Sequence, residues 1–135
     1  MILLDTDVII QGEKGAFDLS RWLASHQADN FEMAAITVAE LWHGVERAAA
    51  AHRAWRERFL SAVVGRVSVI PYTERTARLH ARIWAELEAR GKMIGFYDLI
   101  VGATALERGS QLATFNKKHF GLIEGLNVIE PVYSS

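Results

Sequence analysis

The chain has 135 residues, half of them hydrophobic, and a net charge of −1, which suits one compact domain over residues 1–135 and leaves no room for a second core. It has no cysteine, which excludes disulfides, thiolate zinc sites and cysteine nucleophiles and matches a reducing, cytoplasmic setting. Only the apolar run Met1-Ile2-Leu3-Leu4 precedes Asp5, without a basic lead-in, and no later stretch approaches the roughly 18 apolar residues of a membrane span, so the chain is expected to be neither secreted nor membrane-spanning.

Taken in order, the elements alternate. The sequence predicts a strand at Ile2–Asp5, a helix at Phe17–Ser25, a strand at Glu32–Ile36 and a helix at Thr37–Ala51. A further helix over His52–Val64 repeats Trp55, Phe59 and Val63 every four residues, and a strand follows at Arg66–Ile70. The helix Thr73–Arg90 places Leu79, Ile83 and Leu87 on one face, with Gly91 as its left-handed cap. The helix Tyr97–Arg108 and strands at Gln111–Thr114 and Asn127–Glu130 complete the series. Strands alternating with helices imply an α/β fold, a mainly parallel sheet covered on both faces.

Charge divides along the chain. From His43 to Lys92 there are ten Lys or Arg residues against five acids, whereas the remainder carries five against eleven. An acidic centre beside basic helices is the layout expected where a metal-loaded pocket meets a phosphate backbone. The competing reading is a solvated face of Arg and Glu in i,i+4 pairs.

Several carboxylates follow short apolar runs: Asp5 and Asp7 after the first strand, Glu40 after Ala34-Ala35-Ile36, and Asp98 after Met93-Ile94-Gly95-Phe96-Tyr97. In open α/β sheets, residues at the carboxyl ends of strands converge though distant in sequence, and converged carboxylates want a hard cation such as Mg²⁺ or Mn²⁺. Each acid also has an ordinary reading. Thr37-Val38-Ala39-Glu40 satisfies the capping-box pattern, Asp98 sits where an acid favours a helix start, and Asp7 could cap a turn.

The stretches Leu3-Leu4-Asp5-Thr6-Asp7, Thr37-Val38-Ala39-Glu40-Leu41, Gly95-Phe96-Tyr97-Asp98-Leu99-Ile100-Val101-Gly102-Ala103 and Leu112-Ala113-Thr114-Phe115-Asn116-Lys117-Lys118-His119-Phe120, in this order, resemble a PIN domain. Length and spacing resemble the VapC toxins, the ribonuclease halves of VapBC toxin–antitoxin pairs. The resemblance implies a three-layer α/β/α sandwich and endoribonuclease activity dependent on Mg²⁺ or Mn²⁺. It carries the catalytic and metal-binding roles onto Asp5, Glu40 and Asp98, and auxiliary roles onto Thr114, Asn116 and the variable position Asp7. His119 stands where many members have an acid, so the resemblance leaves one metal ion or two open: the three acids and Asn116 could hold one, and a second could arrive with substrate phosphate. It also implies an RNA substrate, a VapB-like antitoxin whose C-terminal segment covers the site, and a homodimer.

His43 and Arg47, one turn apart beyond Glu40, are the first candidates to touch phosphate, with Lys117 and His119 as further substrate contacts. The five histidines lack zinc spacing and are read as surface residues. Core packing is the main reading for Trp22, Trp42, Trp55 and Trp84, and a groove lined by Trp42 and Trp55 would suit the antitoxin peptide. Two alternatives stand beside the nuclease. Leu3-Leu4-Asp5-Thr6-Asp7 also resembles the opening motif of haloacid-dehalogenase-like phosphatases, and a catalytically degenerate PIN module would bind RNA without cutting it.

Overall fold

The computed structural model describes residues 1–132. The elements among them run β1 (Ile2–Leu4), α1 (Thr6–Glu13), α2 (Leu19–Ser25), β2 (Phe31–Ala34), α3 (Ala35–Glu46), α4 (Ala50–Val64), β3 (Ser68–Ile70), α5 (Glu74–Ala89), α6 (Phe96–Arg108), β4 (Gln111–Ala113), α7 (Lys117–Phe120) and β5 (Val128–Ile129). The strands form one sheet in the order β3-β2-β1-β4-β5, every neighbouring pair parallel. The chain builds outward from β1 to β3 and then returns to the other side of β1 with β4. The strand order therefore reverses between β1 and β4, the position at which open α/β sheets place their ligands.

The two-residue period of each strand sends alternate side chains into two separate cores. Ile2, Leu4, Met33 and Ala113 face α1 to α4, meeting Val8, Trp22, Leu41, Val45, Leu60 and Val63. Leu3, Ala34 and Leu112 face the opposite way, meeting Ile83 and Leu87 of α5, Leu99 and Val101 of α6, and Phe120 and Ile123 beyond them. These two cores make the molecule an α/β/α sandwich, and they explain why β1 is an unbroken apolar run rather than an alternating one. Among the described residues no helix is long and apolar enough to cross a membrane.

Several boundaries differ from the sequence reading for identifiable reasons. The helix α1 was not expected. It is eight residues long, buries only Val8 and Ile9, and is started by Asp5, whose side chain accepts from the Thr6 backbone N–H. The expected continuous helix Thr37–Ala51 is broken after Glu46, because Leu41 and Val45 of α3 and Leu60 and Val63 of α4 must reach the same core. Alanine at positions 48 to 51 gives no sequence signal of that break, since it is the best helix former. Strand β2 ends at Ala34 and α3 begins directly, so Thr37 lies inside the helix and is fully buried. The helix α5 matches its reading closely, with Thr73 capping it and Gly91 at φ 66° just beyond its end.

Candidate active site

The site grows from the reversal between β1 and β4. Asp5 follows β1, and its backbone N–H continues the ladder by donating to the Ala113 carbonyl at 2.9 Å. Its side chain is only 5% exposed. Oδ1 accepts from the Thr6 N–H at 2.9 Å and Oδ2 from the Thr114 hydroxyl at 2.7 Å. The Thr114 oxygen accepts in turn from the Asn116 N–H at 3.0 Å, which turns the hydroxyl proton toward the carboxylates. Burial, then the charges of Asp7 and Asp98, push the Asp5 carboxyl up to about 7, against the lowering effect of Thr114 and Thr6.

The other acids assemble around this one. Asp7, in the first turn of α1, accepts from the Phe115 N–H at 3.1 Å and lies 3.3 Å from the Thr114 hydroxyl, and burial raises its pKa. Glu40, in α3, accepts at Oε1 from the Thr6 hydroxyl at 2.8 Å. The capping-box alternative for Glu40 is therefore replaced: α3 starts without a side-chain cap, and the carboxylate is directed by α1 instead. Burial is the main cause of the raised pKa of Glu40, and Asp98 adds to it. Asp98 stands in the first turn of α6 after Gly95, whose missing Cβ would lie 3.6 Å from Asp98 Oδ2. Burial raises Asp98 as well, and the nearby His119 opposes that shift.

Among the described residues none of these four acids makes a salt bridge. Nor do three Asp, Glu or His side chains close into a ready-made metal cage. The donor set nonetheless fits a hard divalent cation. It is all oxygen, partly buried, and raised in pKa by that burial and, at Asp5 and Glu40, by neighbouring acids; Mg²⁺ takes one or two carboxylates and keeps several waters, so it needs no closed cage.

The remaining expected residues divide. Thr114 donates its hydroxyl to Asp5, while Asn116 donates its backbone N–H to the Thr114 oxygen and its side-chain Nδ2 to His119 Nδ1 at 3.0 Å. His43 lines a cleft of about 340 Å³ that shares Thr6 and Glu40 with the acid cluster. Arg47 lines a second cavity of about 210 Å³ that continues from the first through Ile10, Glu40 and His43. Lys117 is exposed at the start of α7 and lines neither.

Two readings are corrected. His80 is not a surface residue: it is 6% exposed, pairs through Nδ1 with the Tyr72 hydroxyl at 2.9 Å and stacks on Trp84, because α5 turns that face toward α6. Trp42 and Trp55 do not line the cleft beside the acids. Trp42 packs on the core, whereas Trp55 is half-exposed and stacks on Phe59. Sequence reasoning missed Thr6 and Tyr97 as site residues. Their signals were present, a hydroxyl between two acids and an aromatic immediately before a third.

A PIN domain family model matches residues 2–124. The chain is 30% identical to Ribonuclease VapC1 of Rickettsia felis across 95% of this chain and 94% of that protein. It is 33% identical to VapC ribonuclease Y4jK of Sinorhizobium fredii, with 97% of each covered. Among solved structures, VapBC-1 from nontypeable Haemophilus influenzae superposes with a TM-score of 0.83 at 28% identity, covering 96% of this chain and 98% of that one. These likenesses displace the phosphatase alternative.

Proposed function

The chain belongs to the PIN domain family, and from that premise we propose that residues 1–135 form a single PIN domain, a divalent-metal-dependent endoribonuclease and the toxin of a VapBC-type pair. The observation that carries this reading is the buried Asp5, crowded by Asp7 and Asp98 and, among the described residues, without a salt-bridge partner. Asp5, Glu40 and Asp98 would hold Mg²⁺ or Mn²⁺. When bound, that ion supplies a nucleophilic water at neutral pH and offsets the charge that develops on the phosphodiester.

The protein groups have separable tasks. Thr114 and the Thr6 N–H fix both oxygens of Asp5, and the Thr6 hydroxyl fixes Glu40. Asp5 or Glu40, each raised first by burial and further by the charge of Asp98, accepts the proton of the attacking water. Asp7 holds Phe115 and Thr114 beneath the site. His119 stands beside Asp98 in place of a further acid and reduces the repulsion there. His43 and Arg47 receive the RNA backbone. The VapBC complex of the Haemophilus relative supports a VapB-like antitoxin as protein partner. The exposed Trp84 and Phe96, ring against ring, support a homodimer.

The test is cleavage of total RNA by the purified chain, freed of copurifying antitoxin, in Mg²⁺ or Mn²⁺. Discrete fragments are expected with metal and are lost with EDTA and in Asp98→Asn and Asp5→Asn proteins. Undiminished cutting by Asp98→Asn would remove this site. RNA binding without any cleavage would favour the degenerate-module reading instead.

A further inference from the structure

We propose that the cleft beside Glu40 is a nucleobase pocket, in which one unpaired base of single-stranded RNA stacks on Tyr97 while its phosphates run toward Arg47. This rests on the ribonuclease reading and adds to it the residue that grips a base next to the cut.

The cleft has a volume of about 340 Å³, within the range of small-molecule sites. Its lining is divided in character. Ile10, Ile36 and Ala39 make an apolar floor, Tyr97 and His43 supply two planar rings, and Thr6 and Glu40 connect it to the acids. Tyr97 is 51% exposed, although it directly precedes Asp98 and therefore sits one residue from the proposed metal site. Core packing does not account for an aromatic ring left half in water at that position. Among the described residues its aromatic neighbour is Phe96, edge-on at 6.1 Å and 75°, which leaves ring face available to a planar partner.

Charge identifies the occupant. Beyond His43 the cleft continues into the second cavity, where Lys14, Arg47 and Arg56 gather. Arg56 is neutralised by Glu13 at 3.2 Å, but among the described residues Lys14 and Arg47 have no ion-pair partner. The groove thus passes from a carboxylate cluster that takes a cation, over an apolar aromatic cup, to free cations. A nucleic-acid strand presents the matching series: a phosphate at the metal, a flat base, and the next phosphates. Stacking without hydrogen-bond readout tolerates any base, so the pocket sets where the strand lies rather than which sequence is cut.

Binding is read by fluorescence anisotropy on Asp98→Asn protein, with a labelled octauridylate and an all-abasic ribose-phosphate oligomer of equal length. Tyr97→Ala should weaken octauridylate binding roughly tenfold while changing the abasic oligomer by no more than about twofold. Tyr97→Phe should match the parent, and Arg47→Ala should weaken both oligomers alike. Equal weakening of both oligomers by Tyr97→Ala, or no effect on either, overturns the pocket; the second result leaves the cleft to a segment of a protein partner. Metal-dependent cleavage by the unsubstituted chain is scored separately. Base binding through Tyr97 without cleavage removes the nuclease reading and keeps the pocket, and cleavage indifferent to Tyr97 does the reverse.

Discussion

The Thr114 hydroxyl donates to Asp5 Oδ2 at 2.7 Å across the seam where the strand order reverses, so the ends of β1 and β4 are joined at the carboxylate itself. Because the Asn116 N–H occupies the hydroxyl oxygen, Thr114 has no competing orientation of comparable strength. Thr114→Val keeps the shape and removes the donor. Cleavage should fall roughly 10- to 100-fold, as it does when groups that orient metal ligands are lost, and Thr114→Ser should retain most of it. The Thr114 bond lowers the Asp5 pKa, so its loss moves the acidic limb of the kcat/KM profile to higher pH. A pH–rate series on both variants checks the size and the direction.

Without metal, the same acid makes the fold sensitive to pH. Asp5 sits at about 7 when folded, against an ordinary 3.8, so the folded state binds its proton more tightly than the unfolded chain does. Stability is then greatest at low pH on this account and is lost as pH rises from about 4 through about 7. The loss is on the order of a few kcal/mol, at about 1.4 kcal/mol per unit of pKa. Thermal melts in EDTA across that window should show a falling Tm, and Asp5→Asn should flatten the curve and raise Tm at pH 8. A divalent cation should restore stability to the unsubstituted protein and not to Asp5→Asn, because only a ligand of the folded state shifts the equilibrium.

The fold was readable where burial writes a period into the sequence. Leu79, Ile83 and Leu87 mark α5, and the short apolar strands alternate with helices in the order that a parallel sheet requires. The acids were legible as strand-end and helix-start residues. What they touch was not, because Thr6 reaching Glu40 and Thr114 reaching Asp5 span 34 and 109 residues and depend on which strands adjoin. The capping-box reading of Glu40 failed for a local reason: α3 begins two residues before Thr37, directly from β2, and no sequence signal records a helix that starts without a cap. His80 looked like a surface residue because arginines flank its neighbourhood at 78 and 82, yet it lies on the buried stripe of α5.

Thr6 is the residue through which α1 controls α3. Its hydroxyl donates to Glu40 at 2.8 Å, with Thr37 at 3.4 Å as the only other hydroxyl contact among the described residues. Thr6→Val would leave the half-buried Glu40 without this donor, raise its pKa further and let the carboxylate swing into the cleft. Mn²⁺ affinity measured by calorimetry should fall about tenfold, with Thr6→Ser restoring it. Unchanged affinity with reduced cleavage would instead assign Thr6 to the substrate side.

At the opposite end of the strands, Glu32 tests whether a buried charge far from the acids serves the fold alone. Its side chain is 3% exposed at the start of β2, and it is held by Arg108 from the last turn of α6 and by the hydroxyl of Ser110 just before β4. Arg108 Nε donates at 2.9 Å and its Nη2 makes a second, closer contact to the same oxygen. Together these bonds fasten the end of α6 to the neighbouring strands, so they fix the helix that carries Asp98 at its other end. Arg108→Ala leaves a buried carboxylate with Ser110 as its remaining side-chain donor. Because the guanidinium is itself exposed, water recovers part of the loss, and the cost should be smaller than that of breaking a fully buried pair. In urea unfolding this should appear as a lower midpoint at unchanged slope, and Glu32→Gln should lessen the effect of Arg108→Ala in a double-mutant cycle. Cleavage per folded molecule should stay the same. Reduced cleavage at unchanged stability would place Arg108 on the RNA path, through the cavity of about 390 Å³ that it lines with Arg66 at that end of the strands.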